Sequence, residues 1–171
     1  MSIAAKLGQS AELAEQIKTK TITFNVGEAT ITLRVRIPVK REMEAILEAV
    51  AKPDPARVEA IYLDMSKQIR ESIDAGGEDF LKSVNTEKEM IKVTDNDIIL
   101  DGTSMRNMAN LTAMWEMKVE SYFHLLRSET DEELNEPYEQ IAAELPEQVI
   151  RQFVEEIEAV IRPTYKSAKK N

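Results

Sequence analysis

The chain has 171 residues, 43% of them apolar, and a formal net charge of −9. This length and apolar content predict one globular domain with a sizeable core, and the excess of acidic residues argues against general nucleic-acid binding. The absence of cysteine excludes disulfides and thiolate chemistry, and a single histidine is too few for a histidine-based metal cluster. No apolar run approaches the about 18 residues of a membrane-spanning helix, so we expect a cytoplasmic protein with no membrane partner.

The first strong pattern follows a weakly helical stretch at residues 1–18, for which a mobile arm and a docked helix are both open. Residues 21–37, TITFNVGEATITLRVRI, alternate apolar and polar side chains, which is the period of a β-strand. Gly27 can adopt positive φ, and it predicts a tight turn and therefore a β-hairpin. An isolated hairpin is marginal in water, so helices must cover its seven apolar side chains.

Helical patterns occupy most of the remaining chain. An apolar stripe predicts a helix over Lys40 to Ala51, and Asp54 followed by Pro55 is a typical start for the next one. Gly76-Gly77 is expected to end that helix, and a short helical turn can follow. We expect Met105 to Arg127 to be the longest helix.

The other predicted elements are shorter or begin at a proline. Residues 91–100, IKVTDNDIIL, predict a small hairpin, because the acidic turn lacks the ligand pattern of a calcium-binding EF-hand loop. Thr130 and Glu133 form a potential capping box, although Pro137 predicts a delayed start or a kink in the helix that follows. Pro146 opens a strongly amphipathic last helix.

The predicted fold class is therefore α+β and predominantly α-helical, with an N-terminal β-hairpin packed against about five helices. The predicted organisation is an N-terminal arm over residues 1–18, one globular domain over 19–162 and a basic flexible tail over 163–171.

Two features of the composition are relevant to partners. Residues 129–158 contain eleven acidic side chains and one basic one, whereas residues 18–41 contain six basic and one acidic. Such runs are either solvated surfaces of mixed sign or faces that attract each other between molecules. Four of the eight methionines fall within thirteen residues of the long predicted helix. They are either core residues or the deformable lining of a partner groove.

No motif points to catalysis. The sequence has no phosphate-binding glycine loop, no nucleophile elbow and no metalloprotease motif, and nothing selects a catalytic pair from its many carboxylates. We therefore expect a protein that is not an enzyme and uses no cofactor or metal.

The order of these elements resembles the short tail assembly chaperones of long-tailed, siphovirus-like bacteriophages. The resemblance lies in TITFNVGEATITLRVRIPVKREMEAILEAV near the start and in the closing helix and tail, FVEEIEAVIRPTYKSAKKN. It implies a protein of the host cytoplasm, absent from the mature virion, that binds the tape measure protein and promotes assembly of the tail tube protein. Self-association into rings or filaments, and a longer product made by −1 frameshifting, are also implied. Lys169-Lys170-Asn171 is compatible with the codons AAA-AAA-AAC, which contain a slippery heptamer.

On this interpretation the partner-binding residues are the outer-face arginines of the hairpin, the methionines of the long helix and the lysines of the tail. They are Arg34, Arg36, Met105, Met108, Met114, Met117, Lys166, Lys169 and Lys170. The alternative function is a small acidic phage-encoded inhibitor that binds a host protein. The run of acidic residues at 129–158 suggests this alternative.

Overall fold

The computed structural model describes residues 3, 18–128 and 130–162. Its strands are β1 (Thr19–Val26), β2 (Ala29–Arg36), β3 (Ile91–Val93), β4 (Ile98–Leu100), β5 (Thr103–Ser104) and β6 (Leu126–Arg127). Its helices are α1 (Lys40–Ala51), α2 (Pro55–Val84), α3 (Met105–Phe123), α4 (Tyr138–Glu144) and α5 (Glu147–Ile161). The predictions for residues 1–18 and 163–171 lie outside the described residues, apart from Ile3 and Lys18.

The predicted hairpin is confirmed in position and register. β1 and β2 pair antiparallel from Thr19 with Arg36 to Val26 with Ala29, and Gly27 in the connecting turn has φ 60°. The apolar face carries the buried side chains of the hairpin, because Phe24 is 6% exposed and Val35 is fully buried. The alternation of the sequence therefore sets which face turns to the core.

The last helix covers this apolar face. The Phe153 ring of α5 meets Phe24 edge to face, with ring centroids 5.1 Å apart, and stacks on Phe123 of α3 at 5.8 Å. Ile150 and Ile157, one turn before and after Phe153 on α5, are also buried. The predicted amphipathic helix after Pro146 is thus confirmed, and its apolar stripe supplies much of the core beside the hairpin.

The predicted helix over Met105 to Arg127 is too long at its C-terminal end. α3 ends at Phe123, and Leu126–Arg127 forms strand β6, which pairs with Arg34 and Val35 of β2. A two-residue strand has no period of its own, and Leu126 also fits the helical stripe. Pairing with the second edge of the hairpin decides its conformation.

α3 is also not the longest helix. α2 runs from Pro55 to Val84 and is interrupted at Gly77, whose φ of 53° and ψ of −138° are not helical. The predicted break at the glycine pair and the helical turn beyond it are therefore confirmed, although the second part is longer than one turn. The start of α2 follows the prediction, since Asp54 Oδ1 accepts a hydrogen bond from Ala56 N at 3.0 Å.

The predicted capping box at Thr130 and Glu133 is wrong. Glu133 bridges to Arg127 as extended backbone, and Asp131 has a φ of 66°, which a helix start does not allow. The helix begins only after Pro137, as the delayed start predicted. The described residues contain four helices of at least twelve residues and a short one of seven, so the predicted number of about five helices is one more than the four long helices.

A second small sheet follows α2. β3, β4 and β5 form an antiparallel three-stranded sheet in sequence order, which confirms the small hairpin at residues 91–100 and adds one short strand. Its buried side chains Ile91 and Ile98 join Tyr62 of α2 and Met105 and Ala109 of α3 in one cluster.

Residue contacts divide the chain into two compact units. The hairpin unit comprises the described residues of 1–48 and 118–171, and the α2 unit comprises residues 49–117. The α+β, mostly helical class is confirmed. The prediction of one domain over 19–162 stays a prediction.

A partly buried polar cluster lies in the hairpin unit. Tyr122 is 1% exposed, and its hydroxyl donates a hydrogen bond to Glu158 Oε1 at 3.2 Å. Glu158 Oε2 accepts a further one from Lys118 Nζ at 2.8 Å. Burial and the negative charge of Glu158 raise the pKa of Tyr122 to about 12, because both disfavour the phenolate.

This raised pKa predicts an alkaline loss of stability that depends on Tyr122. The neutral phenol is favoured in the fold, so its contribution is complete below the ordinary pKa of 10.0 and is lost as the pH rises towards 12. In urea unfolding at a series of pH values, the difference in unfolding free energy between the native chain and Tyr122→Phe should be constant below pH 10 and fall above it. A difference that stays constant into this range would contradict the assignment.

Candidate functional site

The hairpin arginines face carboxylates of their own chain. Arg36 makes a two-pronged ion pair with Glu42 at the start of α1, and hydrogen bonds from Arg36 hold the pKa of Glu42 below its ordinary value. Arg34 Nη2 lies 3.3 Å from Asp131 Oδ1. A partner's acidic groups would have to compete with these contacts. Lys166, Lys169 and Lys170 lie outside the described residues.

The four methionines of α3 do not share one surface. Met105 is 4% exposed and belongs to the core of the α2 unit, so it does not contact a partner in this conformation. Met108 is 37% exposed, whereas Met114 and Met117 are half-buried. Met108 and Met114 are six residues apart, which places them about 120° apart around the helix axis.

A groove lies between α2 and α3 within the α2 unit. This α2–α3 groove has a volume of about 480 Å³ and is lined by Arg57, Ala60, Ile61, Asp64, Met65, Thr112 and Glu116. Arg57 Nε and Glu116 Oε2 form an ion pair at 2.7 Å. The apolar part of the lining comes from Ala60, Ile61 and Met65 of α2.

Met108 of α3 is not among the residues that line this groove. It precedes Thr112 by one helical turn, so the two residues lie on the same side of the helix, and Thr112 Oγ1 donates a hydrogen bond to Met108 O at 3.0 Å. The apolar lining of the groove therefore consists of Ala60, Ile61 and Met65, and none of the four methionines predicted from the sequence is part of it. Ile61 and Met65 are partly buried and also pack against the core of the α2 unit, and no signal in the sequence distinguishes their positions at the groove.

A second cavity adjoins the β3–β4 turn and has a volume of about 370 Å³. Arg106 lies over the Tyr62 ring, 4.1 Å from its centroid, and pairs with Glu59 of α2. Asp97 accepts hydrogen bonds from Ile98 N and Arg106 N at 2.8 and 3.0 Å. Asp97 therefore has a structural use in fixing the turn.

The electrostatics of Asp97 agree with that use. Burial alone would raise the pKa of Asp97, but hydrogen bonds from Ser104 and from the backbone N–H groups of Arg106 and Ile98 outweigh it and lower the pKa.

Within residues 18–128 and 130–162, no group of three or more histidine or acidic side chains is arranged to hold a metal ion. In the same part of the chain, no helix has the length and apolarity needed to cross a bilayer.

No protein-family model matches the chain, and no significant match was found among curated proteins or solved structures.

The different environments of two α3 methionines can be tested by the same substitution. Met105→Asp places a carboxylate in the core of the α2 unit and should lower the unfolding free energy by several kcal/mol (~3 or more). Met108→Asp should cost less than about 1 kcal/mol, because its side chain reaches solvent. Urea unfolding measures both values. Equal losses would place Met108 in the core and would contradict its exposed position.

Proposed function

We propose that this protein is a phage tail assembly chaperone, not an enzyme, that acts in the host cytoplasm. Its main partner would be the tape measure protein encoded in the same genome, and its second partner the tail tube protein. The proposal rests on the resemblance of the hairpin and the closing helix to this family. The observation that carries it here is the α2–α3 groove.

The groove suits an amphipathic helix as its occupant. Its volume of about 480 Å³ falls in the range of about 300–1,000 Å³ that is usual for binding clefts. Helical partners bind such grooves through apolar anchors one turn apart, and Met65 in the lining offers a side chain that adapts to varied anchors. A long helical chain with many similar apolar turns needs a binder of this tolerant kind.

The charged residues of the groove would limit how the helix lies. Arg57 and Glu116 neutralise each other, whereas Asp64 forms no ion pair within the described residues. A bound helix with a lysine or arginine beside its apolar stripe would place that cation against Asp64. Such an arrangement would favour one direction of the helix over the other.

Co-expression with the tape measure protein tests the proposal. Expressed alone, the tape measure protein should be mostly insoluble, and the native chain should move it to the soluble fraction and co-purify with it. Ala60→Asp should reduce the co-purified amount at least tenfold, because Ala60 lines the groove and is exposed, and a carboxylate there would have to be desolvated on binding.

Leu63→Asp is the matched control for this experiment. Leu63 is a 41% exposed apolar residue of α2 that is not among the residues lining the groove, so its substitution should leave co-purification unchanged. A tape measure protein that stays insoluble with the native chain would contradict the proposed function. Equal losses for both variants would contradict the groove as its site.

A further inference from the structure

β1 is an edge strand, and its outward backbone groups can be identified. The sheet order is β1-β2-β6, so β2 lies on one side of β1 and no described strand lies on the other. Ile37 N donates to Lys18 O at 2.6 Å, which fixes the phase of the β1–β2 ladder. Because antiparallel residues alternate in the direction of their N–H and C=O groups, Lys18, Lys20 and the following even-numbered residues face β2.

The odd-numbered residues of β1 therefore direct their N–H and C=O groups to the open edge. At one end of this edge, Asn25 O accepts a hydrogen bond from Gln152 Nε2 of α5 at 2.6 Å. In the middle, the backbone N–H and C=O groups of Thr21 and Thr23 have no partner among the described residues. Both threonines are exposed. Four backbone groups are thus available side by side on an edge strand without proline.

We propose that this edge pairs with the same edge of a second copy of the chain. A two-fold axis through Ile22 would place Thr21 opposite Thr23 of the second copy, and Thr23 opposite its Thr21. Each opposed pair would then exchange two hydrogen bonds, so all four open groups would be satisfied. Two-fold pairing uses the same patch on both molecules, and it therefore closes at a dimer.

The side chains of β1 are compatible with this register. Residues directly opposite each other share a face, so Ile22 would meet Ile22 of the second copy on the apolar face, and the threonines would lie side by side on the polar face. Lys20 is the one charged residue of β1. The two copies of Lys20 would be four residues apart along the ladder, roughly 13 Å, which exceeds the about 8–10 Å over which exposed charges interact strongly.

Gln152 disfavours the neighbouring register in which the axis passes through Thr23. A shift of the axis to Thr23 would pair Thr21 with Asn25, whose carbonyl oxygen already accepts the bond from Gln152. An axis through Ile22 needs only the open groups of Thr21 and Thr23 for its four central bonds.

Pairing of the β1 edges goes beyond the proposed function, because it concerns a different surface and holds whether or not the chain binds a tape measure protein.

Proline substitution at matched positions of the hairpin tests this pairing. Thr23 and Thr32 lie opposite each other in β1 and β2, and their hydroxyl oxygens are 3.2 Å apart. Neither N–H group takes part in the β1–β2 ladder, since Arg36 N, in phase with Thr32, donates to Leu125 O on the other side. Proline at either position therefore removes no hairpin hydrogen bond, but only Thr23→Pro blocks the β1 edge.

Sedimentation equilibrium of the full chain should show the mass rising from 19.4 kDa towards twice that value as concentration increases. Thr23→Pro should weaken the dimer at least tenfold, and Thr32→Pro should leave it unchanged. A native chain that stays monomeric at millimolar concentration would overturn the inference. This holds even if the β1 edge were then found to accept a strand from another protein. A dimer that survives Thr23→Pro would place the contact elsewhere and would overturn it too.

Amide hydrogen exchange of the native chain gives a second readout that needs no variant. The amides of Thr21 and Thr23 should exchange quickly in dilute solution and slow at least tenfold where the dimer forms, because they become hydrogen-bonded. The amides of Ile22 and Phe24, which bond to β2, should change less. Thr21 and Thr23 amides that exchange equally fast in monomer and dimer would rule out β1 pairing, even if Thr23→Pro failed to fold.

Discussion

The contact between Phe24 and Phe153 is the constraint on which the hairpin unit depends. A two-stranded ribbon cannot bury its own apolar face, and Phe153 lies against Phe24 with ring centroids 5.1 Å apart. The same ring stacks on Phe123, so one side chain of α5 joins the first strand of the chain to the end of α3. The last helix is therefore needed to cover the apolar face of a hairpin that begins more than a hundred residues earlier.

Elements with a strong local pattern could be predicted from the sequence. The hairpin has a strict period of two and a glycine at its turn, and α5 has a dense apolar stripe after a proline. β6 could not be predicted in this way, because Leu126–Arg127 becomes a strand only by pairing with β2. The capping-box pattern at Thr130 is also purely local, and the bridge between Arg127 and Glu133 outweighs it.

The candidate site was less accessible to sequence reasoning than the fold. A cluster of methionines in one helix looks like one surface, but six residues of separation turn Met114 about 120° away from Met108, and Met105 is buried. The availability of the hairpin arginines could not be predicted either, because their partners Glu42 and Asp131 are brought to them only by folding. The exposure of each side chain depends on what packs against its helix or strand, and the spacing of apolar residues in the sequence does not show this.

Two surfaces of different chemistry follow from this arrangement. The α2–α3 groove offers apolar side chains for a helix, whereas the β1 edge offers backbone hydrogen bonds for a strand. The groove belongs to the α2 unit and the edge to the hairpin unit. The β1 edge exists only while the hairpin stays folded, which again requires that α5 cover its apolar face.

A double-mutant cycle on Phe24 and Phe153 tests this dependence most directly. The unfolding free energies of the native chain, Phe24→Ala, Phe153→Ala and the double variant would be measured in urea. We expect a coupling energy of about 0.5–1.5 kcal/mol, as for other aromatic pairs in contact. Losses that add within about 0.3 kcal/mol would show that α5 does not stabilise the hairpin through this contact and would contradict the account.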